Sequence, residues 1–261
     1  MKNCILLGLL CACGLLADTN YNGIWKANLE ASKLPAGPKP TNYLVIITQE
    51  GPKITELIGA WDQRGMERRS TLTFDTTPGA KPSMNSLRGL PMRTKPSWDG
   101  EKLVLDSAVA SLKPMKIKET WTLSPDGQTL TISGVTSIQT QSMDTAMVLL
   151  KQPDSAGEPL RKPEQTAGER FKNVKLFKDI PASQMLDAMD SFNMALGKRC
   201  DFCHVQGKMD LDDKKEKNTA RKMIEMTHNI NAQNFNGKME VRCYTCHKGV
   251  AHAAGRPEFP E

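Results

Sequence analysis

Cys200-Asp201-Phe202-Cys203-His204, echoed by Cys243-Tyr244-Thr245-Cys246-His247, governs the reading of the whole chain. C-x-x-C-H is the spacing of c-type haem attachment. Two thiols one helical turn apart reach the two vinyl groups at one porphyrin edge, and the adjacent His offers a nitrogen to the iron. Two copies predict two covalently bound haem c groups, attached through Cys200, Cys203, Cys243 and Cys246, with His204 and His247 as iron ligands. Zinc is the main rival, because the two Cys pairs and two His supply enough donors. The pairs stand far apart for a compact zinc ribbon, however, and zinc gives no reason for a His directly after each. No βαβ pattern surrounds either pair, which argues against a thioredoxin-like motif.

The chain holds seven cysteines, and the other three, Cys4, Cys11 and Cys13, lie near its start. None is left over in the body for a structural disulfide. Lys2 precedes an apolar run from Ile5 to Leu16, which has the length and flanks of a secretory leader. Haem is attached outside the cytoplasm, so an exported protein, periplasmic or in the outer envelope, is expected. Two processing routes stand open. Leu10-Cys11-Ala12-Cys13 resembles a lipobox with Cys13 as the lipidated residue, and cleavage after Ala17 is the alternative. Lipid on Cys13 would be the membrane anchor, since no later segment is apolar enough to span. A net charge of +6 is too modest to suggest a nucleic-acid surface.

The chain divides into a leader (1–17), a β domain (18–152), a linker (153–170) and a mainly α dihaem cytochrome c domain (171–261). The β domain is expected to be an antiparallel barrel or sandwich. Its candidate strands are Asn42–Gln49, Lys53–Trp61, Arg69–Asp75, Lys102–Ala108, Lys116–Leu123, Thr129–Ser137 and Thr145–Lys151, short β-branched runs separated by turn residues. Gln49-Glu50-Gly51, Trp98-Asp99-Gly100 and Ser124-Pro125-Asp126-Gly127 carry the turn chemistry. Gly23-Ile24-Trp25 is similar to the opening of lipocalin-like barrels, in which the Trp plugs one end. The plainer reading of all four Trp residues is packing.

Residues 153–169 are rich in Pro, Gly and charge and read as a connection. Beyond them the apolar period becomes helical. Pro181 opens one helix, carrying Met185, Ala188, Met189, Phe192 and Leu196 and ending at Gly197. Lys215–Phe235 forms a second, with Ala220, Met223, Ile224, Thr227 and Ile230 on one face and Gly237 after it. A helix thus comes before each C-x-x-C-H, an internal repeat. Lys208–Lys217 is mixed in sign and reads as a solvated loop.

Three ordered blocks, Asp179–Val205 (DIPASQMLDAMDSFNMALGKRCDFCHV), Thr219–Asn231 (TARKMIEMTHNIN) and Val241–Gly249 (VRCYTCHKG), together resemble the cytochrome subunit of photosynthetic reaction centres, in its two-haem, stand-alone relatives. The resemblance covers Val174–Gly249 and leaves the β domain outside. It implies that each helix supplies a Met as sixth iron ligand: Met189 for the first haem with His204, and Met223 for the second with His247. Met226, one turn on, is the alternative to Met223. On residue type alone, most helical Met is core filler. His228 and His252 read as bystanders.

The function expected is an exported dihaem carrier of single electrons, not an enzyme, working between redox protein partners of unknown identity. The photosynthetic subunit carries four haems, and here no His lies between the second helix and Cys243 to serve another one. These departures point away from docking on a reaction centre. A dihaem peroxidase with one open iron is the enzymatic alternative. An envelope binding module with a redox-sensing haem domain is the non-enzymatic one.

Overall fold

The computed structural model describes residues 19–35 and 37–253. The leader, with Cys4, Cys11 and the lipobox Cys13, lies outside the described residues.

Ten antiparallel strands form a meander: β1 (Gly23–Ala27), β2 (Asn42–Glu50), β3 (Lys53–Trp61), β4 (Glu67–Asp75), β5 (Ser83–Leu87), β6 (Leu90–Asp99), β7 (Lys102–Val109), β8 (Met115–Leu123), β9 (Thr129–Ile138) and β10 (Gln141–Gln152). β1 pairs with both β2 and β10, so the sheet runs β4-β3-β2-β1-β10-β9-β8-β7-β6-β5 and curls into a nearly closed barrel. All seven strands anticipated from the sequence are present. Three more, β1, β5 and β6, were not anticipated. β1 is short, and β6 carries Pro91 and Pro96, which argue against a strand. Pro96 is tolerated because β6 pairs with β5 only over Leu90–Thr94, leaving one flank without a ladder there.

The seam lies between β4 and β5, where side chains stand in for a ladder. The Asn85 amide donates to the Thr73 carbonyl at 3.1 Å and accepts from the Thr73 N–H at 2.9 Å, and Ser83 Oγ accepts from the Asp75 N–H. Alternation along the strands places Tyr21, Trp25, Val45, Ile54, Phe74, Leu103, Trp121, Leu130 and Leu149 in one interior cluster. Trp25 is fully buried, with its indole N–H donating to the Tyr21 carbonyl at 3.0 Å. Trp98 and Trp121 pack around Tyr21.

The connection after β10 is packed rather than loose. It forms two short helices, α1 (Glu158–Arg161) and α2 (Ala167–Arg170), and buries Leu160 against Ile24 and Leu44 on the outer barrel wall. Arg69 donates to the carbonyls of Pro159, Leu160 and Lys162, at 2.7, 3.1 and 2.7 Å.

Three helices follow: α3 (Ala182–Leu196), α4 (Lys215–Asn234) and α5 (Cys243–His247). Pro181 stands at the N-cap of α3, and Gly197, left-handed at φ 60, ends it. The barrel holds α3 directly. Arg68 on β4 pairs with Asp190 (2.9 Å) and Asp187 (3.5 Å), and Ser191 Oγ donates to the Gly89 carbonyl. Gly89, in the two-residue β5–β6 turn, has φ +74. A Cβ there would stand 2.5 Å from the Asp187 carbonyl oxygen. At the other end Glu164, itself 3.5 Å from Arg69, accepts from the N–H and hydroxyl of Ser183. Among the described residues, no helix is long and apolar enough to cross a membrane.

Two outcomes follow. Gly89→Ala forces α3 away from the turn and should lower the unfolding free energy by about 1–3 kcal/mol. Gly79→Ala, at φ 80 with open space around it, is the control that carries backbone strain alone. Denaturant titration of both variants checks this. Inside the barrel, burial and the facing Glu119 push Glu56 up to about 8. An unfolded Glu titrates near ~4.3, so the unfolded chain releases this proton first and Glu56 costs stability progressively as pH rises from there through 8. Glu56→Gln removes that dependence, and thermal melts at pH 5 and pH 9 should show the variant gaining on wild type at the higher pH.

Candidate functional site

The first Cys motif is a single tight turn at Cys200–Phe202, in which the His204 N–H donates to the Cys200 carbonyl at 2.9 Å. The second motif is α5 itself, and Thr245, between its cysteines, accepts from the Arg242 N–H to start the helix. In both motifs the thiols lie one turn apart and the His follows immediately.

The two imidazoles are held alike. Nδ1 of His204 bonds the Met209 carbonyl at 2.9 Å, and Nδ1 of His247 bonds the Val250 carbonyl at 3.0 Å. A carbonyl accepts only, so Nδ1 carries a proton in each ring and Nε2 is the nitrogen left for a metal, the orientation seen in metal-bound His. Burial, helped by the charges of Lys217, Arg221 and Lys214, pulls His204 below its ordinary value. Burial also pushes the thiols of Cys203 and Cys243 up.

The surroundings fit a large flat apolar group. Beyond residue 171, Met185 and Ala195 are the buried apolar residues among those described. Met209, Met223, Met226, Phe235, Met239 and Val250 by contrast present between 37% and 54% of their surface. A haem brings its own four nitrogens and asks each motif for two thiols and one imidazole, which is what each motif offers. Zinc would need more: among the described residues no three of His, Cys, Asp and Glu converge to hold a metal ion.

α4 spans the two motifs. At its start Lys217 donates to the carbonyls of Met209 (2.9 Å) and Leu211 (2.8 Å), and Lys214 bonds the Asp201 carbonyl. Lys217 is only 9% exposed, so the end of the anticipated solvated loop is instead a buried anchor. Asp212 collects Lys175 (2.9 Å), Lys217 (3.1 Å) and Arg221 (2.9 Å), which together hold its carboxyl far below the usual range. At the far end Asn231, 1% exposed, acts as a surrogate strand: its amide donates to the Val241 carbonyl at 2.7 Å and accepts from the Val241 N–H at 2.9 Å. That fixes the segment entering Cys243. The last turn of α3 also touches the second motif, where the Gly249 N–H donates to the Ala195 carbonyl and Gly197 lies close against Gly249.

Met189 is part-buried in the middle of α3, while Met223 and Met226 are exposed on α4 at 37% and 46%. Their three-residue spacing puts Met223 and Met226 on neighbouring parts of one helix face. His228 is exposed on α4, and His252 is exposed near the end of the described chain. Lys217, Asn231 and Asp212 carry no sequence signal, because their partners lie in loops and segments beyond their own element, where no residue pattern marks the pairing.

Paired thiols followed by an Nδ1-anchored imidazole are the donors that covalent haem attachment asks of a protein, and the comparisons point the same way. Residues 125–254 match the family described as photosynthetic reaction centre cytochrome C subunit. The match extends beyond Val174–Gly249 into the barrel, taking in β9 and β10. The chain is 33% identical over 97 residues to the photosynthetic reaction center cytochrome c subunit of Roseobacter denitrificans, covering 33% of this chain and 26% of that one. With the subunit of the same name from Rubrivivax gelatinosus it shares 32% over 87 residues, 32% of this chain and 24% of that one. It thus spans about a quarter of the length of these curated relatives. Among solved structures, zebrafish ileal bile acid-binding protein complexed with cholic acid aligns with TM-score 0.35 and 17% identity, over 51% of this chain and 98% of that one. Secretory abundant heat soluble protein 4 from Ramazzottius varieornatus aligns at 0.34 and 13%, over 52% and 99%. At these scores neither likeness bears on function.

Asn231→Leu leaves the Val241 N–H and carbonyl without partners. The expected loss is about 1–3 kcal/mol of stability. Denaturant titration against wild type checks this.

Proposed function

We propose that this chain is an exported dihaem c-type cytochrome that carries single electrons between redox protein partners. The repeated Nδ1–carbonyl anchor carries the reading: in both C-x-x-C-H motifs a backbone carbonyl takes Nδ1 and leaves Nε2 as the nitrogen open to a metal. Cys200, Cys203 and His204 would hold one haem, and Cys243, Cys246 and His247 the other. When bound, haem supplies a one-electron iron couple whose potential the axial ligands and burial adjust.

The chain's own part is to fix and close the site. The Met209 and Val250 carbonyls orient the rings, and the methionines of α3 and α4 would offer apolar surface to a bound haem. Met189 and Met223 are the sixth ligands in this proposal, with Met226 the alternative to Met223. The leader delivers the chain outside the cytoplasm, with Cys13 as lipid anchor or cleavage after Ala17. The partners are redox proteins, and two motifs with no His between α4 and Cys243 point away from a photosynthetic reaction centre.

Redox titration of the holoprotein with optical and magnetic spectra tests this. Two haems per chain with low-spin His/Met signatures are expected, each signature lost in Met189→Ala or Met223→Ala. Rapid carbon monoxide binding by both reduced haems, or spectra unchanged in both variants, would overturn the ligation. A single haem would overturn the dihaem assignment.

A further inference from the structure

We propose that Lys217 separates the two haem sites in potential, raising the first above the second, so that an electron shared between them rests at the first while the second is oxidised. This rests on the dihaem reading above.

Lys217 and His204 compete for one acceptor. The Met209 carbonyl takes His204 Nδ1 at 2.9 Å and Lys217 Nζ at 2.9 Å. A carbonyl already polarised by an ammonium group accepts less strongly from the imidazole N–H. The ring therefore gives less electron density to its other nitrogen, and second-shell bonds of this kind tune a ligand's basicity. The charge acts in the same direction. The Lys217 side chain is 11% exposed, so its field is poorly screened and disfavours the more positive, oxidised iron. Asp212 does not cancel it, because that carboxylate also holds Lys175 and Arg221. Three cations share one anion beside the first motif.

The second motif lacks such an arrangement. Among the described residues, the Val250 carbonyl receives His247 Nδ1 and no cation. Its flanking charges, Arg242 and Lys248, are exposed, where water screens them. Two sites with the same thiols and the same imidazole anchor thus differ in the charge placed on that anchor, where the ammonium of Lys217 shares the first carbonyl and no cation shares the second.

Redox titration of holoprotein variants tests the proposal. Cys200→Ser with Cys203→Ser, which removes the first attachment, should leave the lower of the two midpoints and so assign it to the second site. Lys217→Gln should lower the higher midpoint and leave the other in place, narrowing the gap, while Lys217→Arg should keep both. Two unchanged midpoints in Lys217→Gln, or an equal shift of both, would overturn it. Should Lys217→Gln fail to accumulate, Asp212→Asn reads the same field with opposite sign. It should raise the higher midpoint alone, and no change there is likewise fatal. A wild-type holoprotein with fewer than two haems would instead sink the dihaem reading.

Discussion

Arg68 and Arg69 are neighbours on β4 and leave it in opposite directions, as consecutive strand residues must. Arg68 meets Asp187 and Asp190 on α3. Arg69 reaches the carbonyls of the connection and Glu164, which holds the first turn of α3. One strand thereby grips both the approach to the helix and the helix itself. The helical half depends on that grip, since it buries little apolar surface of its own. A part-exposed ion pair contributes no more than about 1 kcal/mol. The mount must therefore draw on several such bonds and on the close backbone approach at Gly89.

Within the helical half, order comes from polar groups that replace missing secondary structure. Lys217 ties the start of α4 to the loop after the first motif, and Asn231 ties its end to the segment before the second. α3 precedes the first motif in the chain but closes against the second through Ala195 and Gly249. Each Cys motif is thus braced by an element belonging to the other half of the repeat. The two motifs are thereby tied to one another through shared elements.

Local chemistry was legible in the sequence and tertiary chemistry was not. Pro181 and Gly197 gave the ends of α3 because a missing N–H and a left-handed residue act on their own neighbours. The two C-x-x-C-H motifs were legible because covalent attachment demands a fixed spacing. β5 and β6 were not: their pattern is broken by Pro91 and Pro96, and an edge position tolerates what a central strand would not. Lys217 looked like part of a solvated loop, since nothing local distinguishes a lysine that finds two carbonyls and a carboxylate from one that finds water. Asn231 was hidden for the same reason, its partner lying beyond the helix.

The seam between β4 and β5 gives the barrel a second dependence. α3 touches β4 through Arg68 on one side of that seam and the β5–β6 turn through Gly89 on the other, so the helix works as a clasp across the join. Whatever stiffens α3 also tightens the barrel, and whatever loosens the join slackens the helix. Whatever the helical half binds is therefore thermodynamically linked to closure of the barrel. The barrel would register loading of the cytochrome half as a gain in its own resistance to unfolding.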